Sequence, residues 1–93
     1  MTAPLFSLDQ VVATPGALAQ LAGAGEHPAE LLARHQGGDW GEVPLQDARE
    51  NEFSVLRGFR VLSCYQDGKG SEKVWIITEA DRSSTCILLP EEY

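Results

Sequence analysis

The nine residues ITEADRSST, Ile77 to Thr85, set two carboxylates and a guanidinium among several hydroxyls. Groups of these types can cleave a phosphodiester. Glu79 would act as general base, Arg82 would stabilise the developing anion, and His35 would serve as the acid. Arg60 would add a second positive group. The same residues also make a plain hairpin corner, and that is the simpler reading. Asp81 can accept hydrogen bonds from backbone donors two residues on. Thr78 and Thr85 can pair across strands. An exposed Glu79–Arg82 ion pair is worth under about 1 kcal/mol. His35, in ARHQGGDWG, stands near a helix end, where the dipole favours a protonated ring and a capping or packing role suffices.

Other chemistries lack their signatures. Ser63 and Ser83 have no nucleophile elbow around them. GAG and GKGS have neither the spacing nor the strand-to-helix setting of a phosphate loop. Cys64 and Cys86 form no C-x-x-C pair, and with only His27 and His35 beside them no structural zinc site is expected. No metal and no cofactor is expected. Both cysteines fall inside apolar runs, where a free thiol is a small core residue. A methyltransferase or other nucleotide-binding βαβ core needs far more chain than 93 residues.

The elements that would position these groups are legible from pattern. Thr14-Pro15 is a helix start, and Gly23-Ala24-Gly25 a stop, giving a helix over about 15–22. Pro28 opens a second over about 28–36, ended by Gly37-Gly38. Trp40 lies in the loop GDWGEVP and reads as an anchor into the core. A third helix runs over about 45–57, closed by Gly58. Leu45, Ala48, Glu52, Val55 and Leu56 lie near one stripe with Phe53 beside it, and Asp47, Arg49 and Glu50 form its solvated face. The last third changes period to three strands, about 59–65, 73–79 and 84–89, rich in Val, Ile and aromatics. Asp67-Gly68 signals a tight turn between the first two. LDQVVAT adds a short N-terminal strand as an option. The fold expected is one α+β domain over residues 1–93, a helical N-terminal half packed on a three-stranded antiparallel meander.

A register follows from pairing Cys64 with Val74 and Ile77 with Cys86. It sets the cysteines on outer strands and opposite faces, about 9.6 Å apart by strand spacing and too far for a disulfide. It also puts Leu62, Val74, Ile76, Ile87 and Leu89 on one face, and Phe59, Val61, Tyr65, Trp75, Ile77 and Leu88 on the other. Both faces are apolar, so both need cover. Helices cover one. The N-terminal segment, a second copy of the chain in a homodimer, or a partner must cover the other.

The formal charge is −7. Seven acids lie between residues 26 and 57, and four more in the last fifteen positions. Such a surface repels nucleic acid, so no direct nucleic-acid binding is expected. It suits a basic protein partner, including one that itself binds nucleic acid. Asp47, Glu50, Glu79, Asp81, Glu91 and Glu92 are the candidate contacts. No apolar run approaches the roughly 20 residues of a bilayer span. MTAPLFSLDQ lacks the pattern of a secretory signal, so no membrane association and a cytoplasmic location are expected.

The stretches VVATPGALAQL, LLARHQGGDWG, NEFSVLRGFRVLSCY and KVWIITEADRSSTCILLPEEY resemble a family of small bacterial proteins found on chromosomes, plasmids and other mobile elements. The likeness runs from about Val11 to Tyr93 and rests on RHxxGDWG, WIITEADRSxT and the final LLPEEY. Members carry the labels "plasmid-related protein" and "type I restriction endonuclease subunit M". The resemblance implies a mobile-element setting. With the acidic surface, that setting makes an inhibitor of a nucleic-acid-binding defence complex, anti-CRISPR or anti-restriction, the leading functional expectation. The alternative is a small ribonuclease or toxin. RVLSCYQDGKGSEKVWIITEADRSSTCIL is similar to the sheet of barnase-like ribonucleases. That likeness implies Glu79, Arg82, Arg60 and His35 as the working residues, although the family carries its His late in the chain.

Overall fold

Thr14 caps the first helix as its type requires, its hydroxyl accepting from the Ala17 N–H at 3.1 Å, and Pro15 occupies the first turn. In the computed structural model, which describes residues 4–66 and 72–93, this helix, α1, spans Pro15–Ala24. It runs past Gly23 and closes only at Gly25, whose φ of 74° is the left-handed conformation that ends helices. Helix α2 spans Pro28–Gln36 and α3 spans Leu45–Arg57. The strands are β1 (Gln10–Ala13), β2 (Val61–Gln66), β3 (Lys73–Thr78) and β4 (Ser84–Leu88), followed by a 3₁₀ turn at Pro90–Glu92. The Asp67-Gly68 turn signal lies outside the described residues.

The fold is α+β, with three helices and one four-stranded sheet of order β1-β4-β3-β2. The expected three-stranded meander is corrected: β1 pairs parallel to β4, from Gln10 opposite Ser84 to Ala13 opposite Ile87, so the sheet is mixed. Nor are all helices in the N-terminal half, since α3 lies across the middle of the chain. The β1–β4 pairing joins residues more than seventy positions apart, and such contacts leave no local trace.

The register of β2 against β3 also differs by one residue from that expected. Cys64 faces Trp75, and Tyr65 faces Val74. A one-residue slip moves every side chain of a strand to the other face. The two cysteines therefore share a face rather than lying on opposite ones, and both are free thiols. Val61, Ser63, Tyr65, Val74, Ile76, Thr78, Thr85 and Ile87 form the inner face, all of them buried. Helices α1 and α2 cover it through Ala17, Leu21 and Leu31. Leu62, Cys64, Trp75, Ile77, Cys86 and Leu88 form the outer face. There the chain's own C-terminus supplies part of the cover: the Tyr93 ring meets the Trp75 ring at 5.4 Å, edge to face.

The motif LLARHQGGDWG is accounted for as structure. Arg34 Nε donates to Asp39 Oδ2 at 2.7 Å, and its guanidinium lies 4.5 Å from the Tyr65 ring centre. Asp39 Oδ1 accepts from the Gly41 N–H. Trp40 is buried against Phe6 and Val61, as its anchoring role predicts. Gly41 bridges to Cys64 with φ 73°, and a Cβ there would collide with the Cys64 carbonyl. The Trp40 carbonyl accepts from the Cys64 N–H, and the Glu42 N–H donates to the Cys64 carbonyl. The open edge of β2 is thus paired by the GDWG loop rather than by another strand.

Helix α3 completes that edge in an unexpected way. Its buried residues are Asn51 and Ser54, with Ala48 and Val55 half-buried, while Leu45, Phe53 and Leu56 face outward. The Asn51 amide donates to the Leu62 carbonyl at 2.6 Å and its oxygen accepts from the Leu62 N–H at 3.1 Å. A strand edge demands hydrogen-bond partners before apolar contact, and Asn51 supplies both. That demand rotates the apolar stripe of α3 away from the core.

Candidate functional site

The β3–β4 corner turns at Glu79–Arg82, where the Arg82 N–H donates to the Glu79 carbonyl and Asp81 Oδ1 accepts from the Ser83 N–H. Arg82 adopts φ 63°, a conformation costing about 1 kcal/mol or more for a residue with a side chain. The guanidinium explains why it is held. Nη2 donates to the Ser54 carbonyl at 2.8 Å, and Nη1 to the carbonyls of Phe59 at 2.6 Å and Glu79 at 3.1 Å. The Ser54 carbonyl also takes the N–H groups of Gly58 and Phe59 at the end of α3. Arg82 thus brings a positive charge to the C-terminal end of α3, where the dipole favours it, and fastens the hairpin to that helix. Its donors point at backbone, not at an open cleft.

His35 has no exposed surface and both ring nitrogens are engaged. The proton order follows from the chain of partners. The Leu8 carbonyl can only accept, so the Thr85 hydroxyl donates to it at 3.1 Å. Thr85 then accepts from Thr78 at 2.8 Å, and Thr78 accepts from the His35 Nε2–H at 2.9 Å. Nδ1 is left as the acceptor of the Ser63 hydroxyl at 2.5 Å. This order requires a neutral imidazole. Burial, with the nearby charge of Arg82, pushes its pKa down to about 4. The Phe6 and Trp40 rings stand edge-on to the imidazole at 5.1 and 6.0 Å. His35 is the centre of a buried polar network that ties α2 to β2, β3 and the N-terminal arm.

Of the four residues considered for phosphodiester chemistry, the structure brings only Arg60 and Glu79 together as a pair, at 3.5 Å on the surface. Arg60 also donates to the Tyr93 hydroxyl at 2.9 Å. Arg82 is spent on carbonyls and His35 is sealed inside. Burial raises the pKa of both Cys64 and Cys86, the opposite of what an activated thiolate needs. Among the described residues no three His, Cys, Asp or Glu side chains are grouped to hold a metal ion, and no helix is long and apolar enough to cross a membrane.

The six candidate acids are dispersed. Glu50 lies exposed on α3, and Asp81 is exposed in the corner. Glu79 is held by Arg60. Glu92 serves the fold: one carboxylate oxygen accepts from the Thr14 hydroxyl and from the Leu89 N–H, both at 2.7 Å. These bonds hold its pKa below the usual range and place a negative charge at the start of α1, whose own first turn has none. Asp47 lines a groove on the outer face of the sheet. Leu62, Cys64 and Trp75 contribute its sheet residues, and Glu42, Val43, Pro44, Asp47, Lys73 and Pro90 surround them, enclosing about 310 Å³. Glu91, exposed, follows Pro90 in the 3₁₀ turn. Neither Glu42 nor Asp47 is in an ion pair among the described residues. Trp75 is half-buried, so its ring is partly open to this space.

Asp47 stands out in the sequence as an exposed acid, but the groove it lines does not, because Val43, Trp75 and Pro90 meet only through the fold. The expected Thr78–Thr85 pair is present at 2.8 Å, but its extension through His35 to Ser63 was not foreseen, although the sign was present: Ser63, Thr78 and Thr85 interrupt otherwise apolar strands at positions sharing one face. No protein-family model matches the chain, and no curated protein or solved structure matches it significantly.

Proposed function

We propose that this protein is a non-enzymatic interaction module that receives a basic protein segment in the groove on the outer face of its sheet. The observation that carries the reading is the meeting of a partly open Trp75 with the carboxylates of Glu42 and Asp47, which are in no ion pair among the described residues. A Lys or Arg side chain can lie against an aromatic face while its charge meets a carboxylate. The formal charge of −7 draws such a partner in and repels nucleic acid.

The partner class we infer is a protein that itself binds nucleic acid, since such proteins present the basic surfaces that an acidic competitor can occupy. The resemblance to small proteins of mobile elements favours a defence complex as that partner, with inhibition as the outcome. A ribonuclease reading has no comparable support, since its proposed acid is sealed in the core.

The test is capture from a native host lysate by the wild-type protein and by Trp75→Ala and Glu42→Lys/Asp47→Lys variants. Stoichiometric capture of a basic nucleic-acid-binding protein, lost in the variants and weakened by salt, supports the proposal. Capture that the variants leave intact removes the groove from it. RNA cleavage by the purified protein, abolished by Glu79→Gln, would replace it with the enzymatic reading.

A further inference from the structure

Helix α3 turns its large apolar side chains to solvent. Leu56 is 83 % exposed, Leu45 69 % and Phe53 51 %. Phe53 stacks on Phe59, itself 53 % exposed, at 5.9 Å. Single exposed apolar residues are ordinary, but several large ones on the outward side of one helix are a mark of an interaction surface. The stripe is not a failed core contact, because the inward side of α3 is already occupied by Asn51 and Ser54 in hydrogen-bonded contact with β2 and Arg82. Asp47 lies on the opposite side of the helix, toward the sheet groove, so this surface is separate from the one proposed above.

The order of residues along the stripe identifies what fits it. At 100° per residue, Leu45, Arg49, Glu52 and Leu56 fall within one narrow band of α3. Laid antiparallel to itself about a two-fold axis between Glu50 and Asn51, the helix brings Leu45 level with Leu56 of the partner subunit. Arg49 comes level with Glu52 of the partner subunit. The pattern is leucine, cation, anion, leucine, and it reads as its own complement when reversed. The two-fold axis repeats each pairing, which is the condition for an isologous interface. A parallel pair in register would set Arg49 against Arg49 and Glu52 against Glu52, and an antiparallel pair shifted by about a turn would set a leucine against a charged residue. Glu52 accepts from the Trp40 Nε1–H through one oxygen at 3.1 Å and is in no ion pair among the described residues.

We propose that α3 is the interface of a homodimer in which the two copies of this helix pack antiparallel across a two-fold axis. One helix of 13 residues per copy places the contact at the small end of protein interfaces, so the dimer should form in the micromolar range.

Sedimentation equilibrium on the full chain, from low micromolar to near-millimolar concentration, tests this. The wild type is expected to pass from monomer to dimer. Leu56→Glu and Leu45→Lys should each weaken association at least about tenfold, because each substitution acts twice in a two-fold interface. The double variant Leu45→Lys/Leu56→Glu sets Lys against Glu at both ends and should associate more tightly than either single one. Both positions are exposed, so melting temperatures should stay close to wild type, and circular dichroism checks that. A wild type that stays monomeric throughout overturns the proposal. So does a dimer indifferent to Leu56→Glu, or a double variant no better than the singles.

Discussion

The Arg82 guanidinium donates to the Ser54 carbonyl across 2.8 Å, and through this bond the β3–β4 corner and the end of α3 hold one another in place. The same guanidinium donates to the Phe59 carbonyl in the loop that follows the helix, at 2.6 Å. The cluster of charged and hydroxyl groups that looks most like chemistry in the sequence is in its main part a clamp. The left-handed backbone at Arg82 is offset by the carbonyl contacts its side chain makes.

Arg82→Ala should therefore cost stability, about 2–3 kcal/mol, because several charge-assisted bonds are lost while the strained φ remains. Arg82→Gly relieves the strain and should cost less. Urea unfolding of the three proteins gives the order directly. Glu79→Gln is the contrast: its ion pair with Arg60 is long and half exposed, and its loss should shift stability by under about 0.5 kcal/mol. If Arg82→Ala proved as mild as Glu79→Gln, the clamp would be a minor contact.

His35 makes stability depend on acid in a definable window. Its pKa in the folded protein, about 4, lies below the ordinary value of 6.5. The unfolded chain therefore binds a proton first as the pH falls. The stability from the neutral ring is complete above about pH 6.5 and declines between 6.5 and 4, by roughly 3 kcal/mol in all. Asp39 and Glu92, whose pKa values are also lowered, lose their contributions as the pH falls from their ordinary values of 3.8 and 4.5, at and below the acid end of that window. Denaturant titrations at pH 7.5, 6 and 5 should show the decline in the wild type and a flatter response in His35→Gln. Equal slopes in the two proteins would mean that His35 titrates alike in the folded and unfolded chain and that the neutral network gives no such dependence.

Gly41→Ala should be among the most damaging single changes. It adds a Cβ where φ is 73° and the Cys64 carbonyl already stands. The edge of β2 would have to give up its pairing with the GDWG loop, at a cost of about 3 kcal/mol or more. Gly23→Ala, in the last turn of α1 with open space around it, should instead stabilise by up to about 1 kcal/mol. Thermal melting of the two variants separates them: opposite shifts are expected, and a neutral Gly41→Ala would show that the loop can move off the strand.

Local signals in the sequence are sufficient for much of the fold. Thr14-Pro15 and Pro28 open their helices, Gly58 closes α3, and the Val- and Ile-rich runs are the three antiparallel strands, because caps and periodicity act over a few residues. RHxxGDWG was visible as a motif, though not as the partner of a strand edge. Three features required the folded chain. β1 joins β4 through a pairing no local pattern marks. The β2 register slips by one because both faces of that strand are apolar or small, so alternation cannot choose between them. Asn51, an ordinary polar residue in a helical pattern, turns inward because the Leu62 backbone needs a donor and an acceptor. That last choice exposes Leu45, Phe53 and Leu56, and so creates the surface on which the chain is proposed to meet itself. Hydrogen-bond demand at a sheet edge comes from long-range topology, and helical periodicity, which measures only apolar spacing, does not register it.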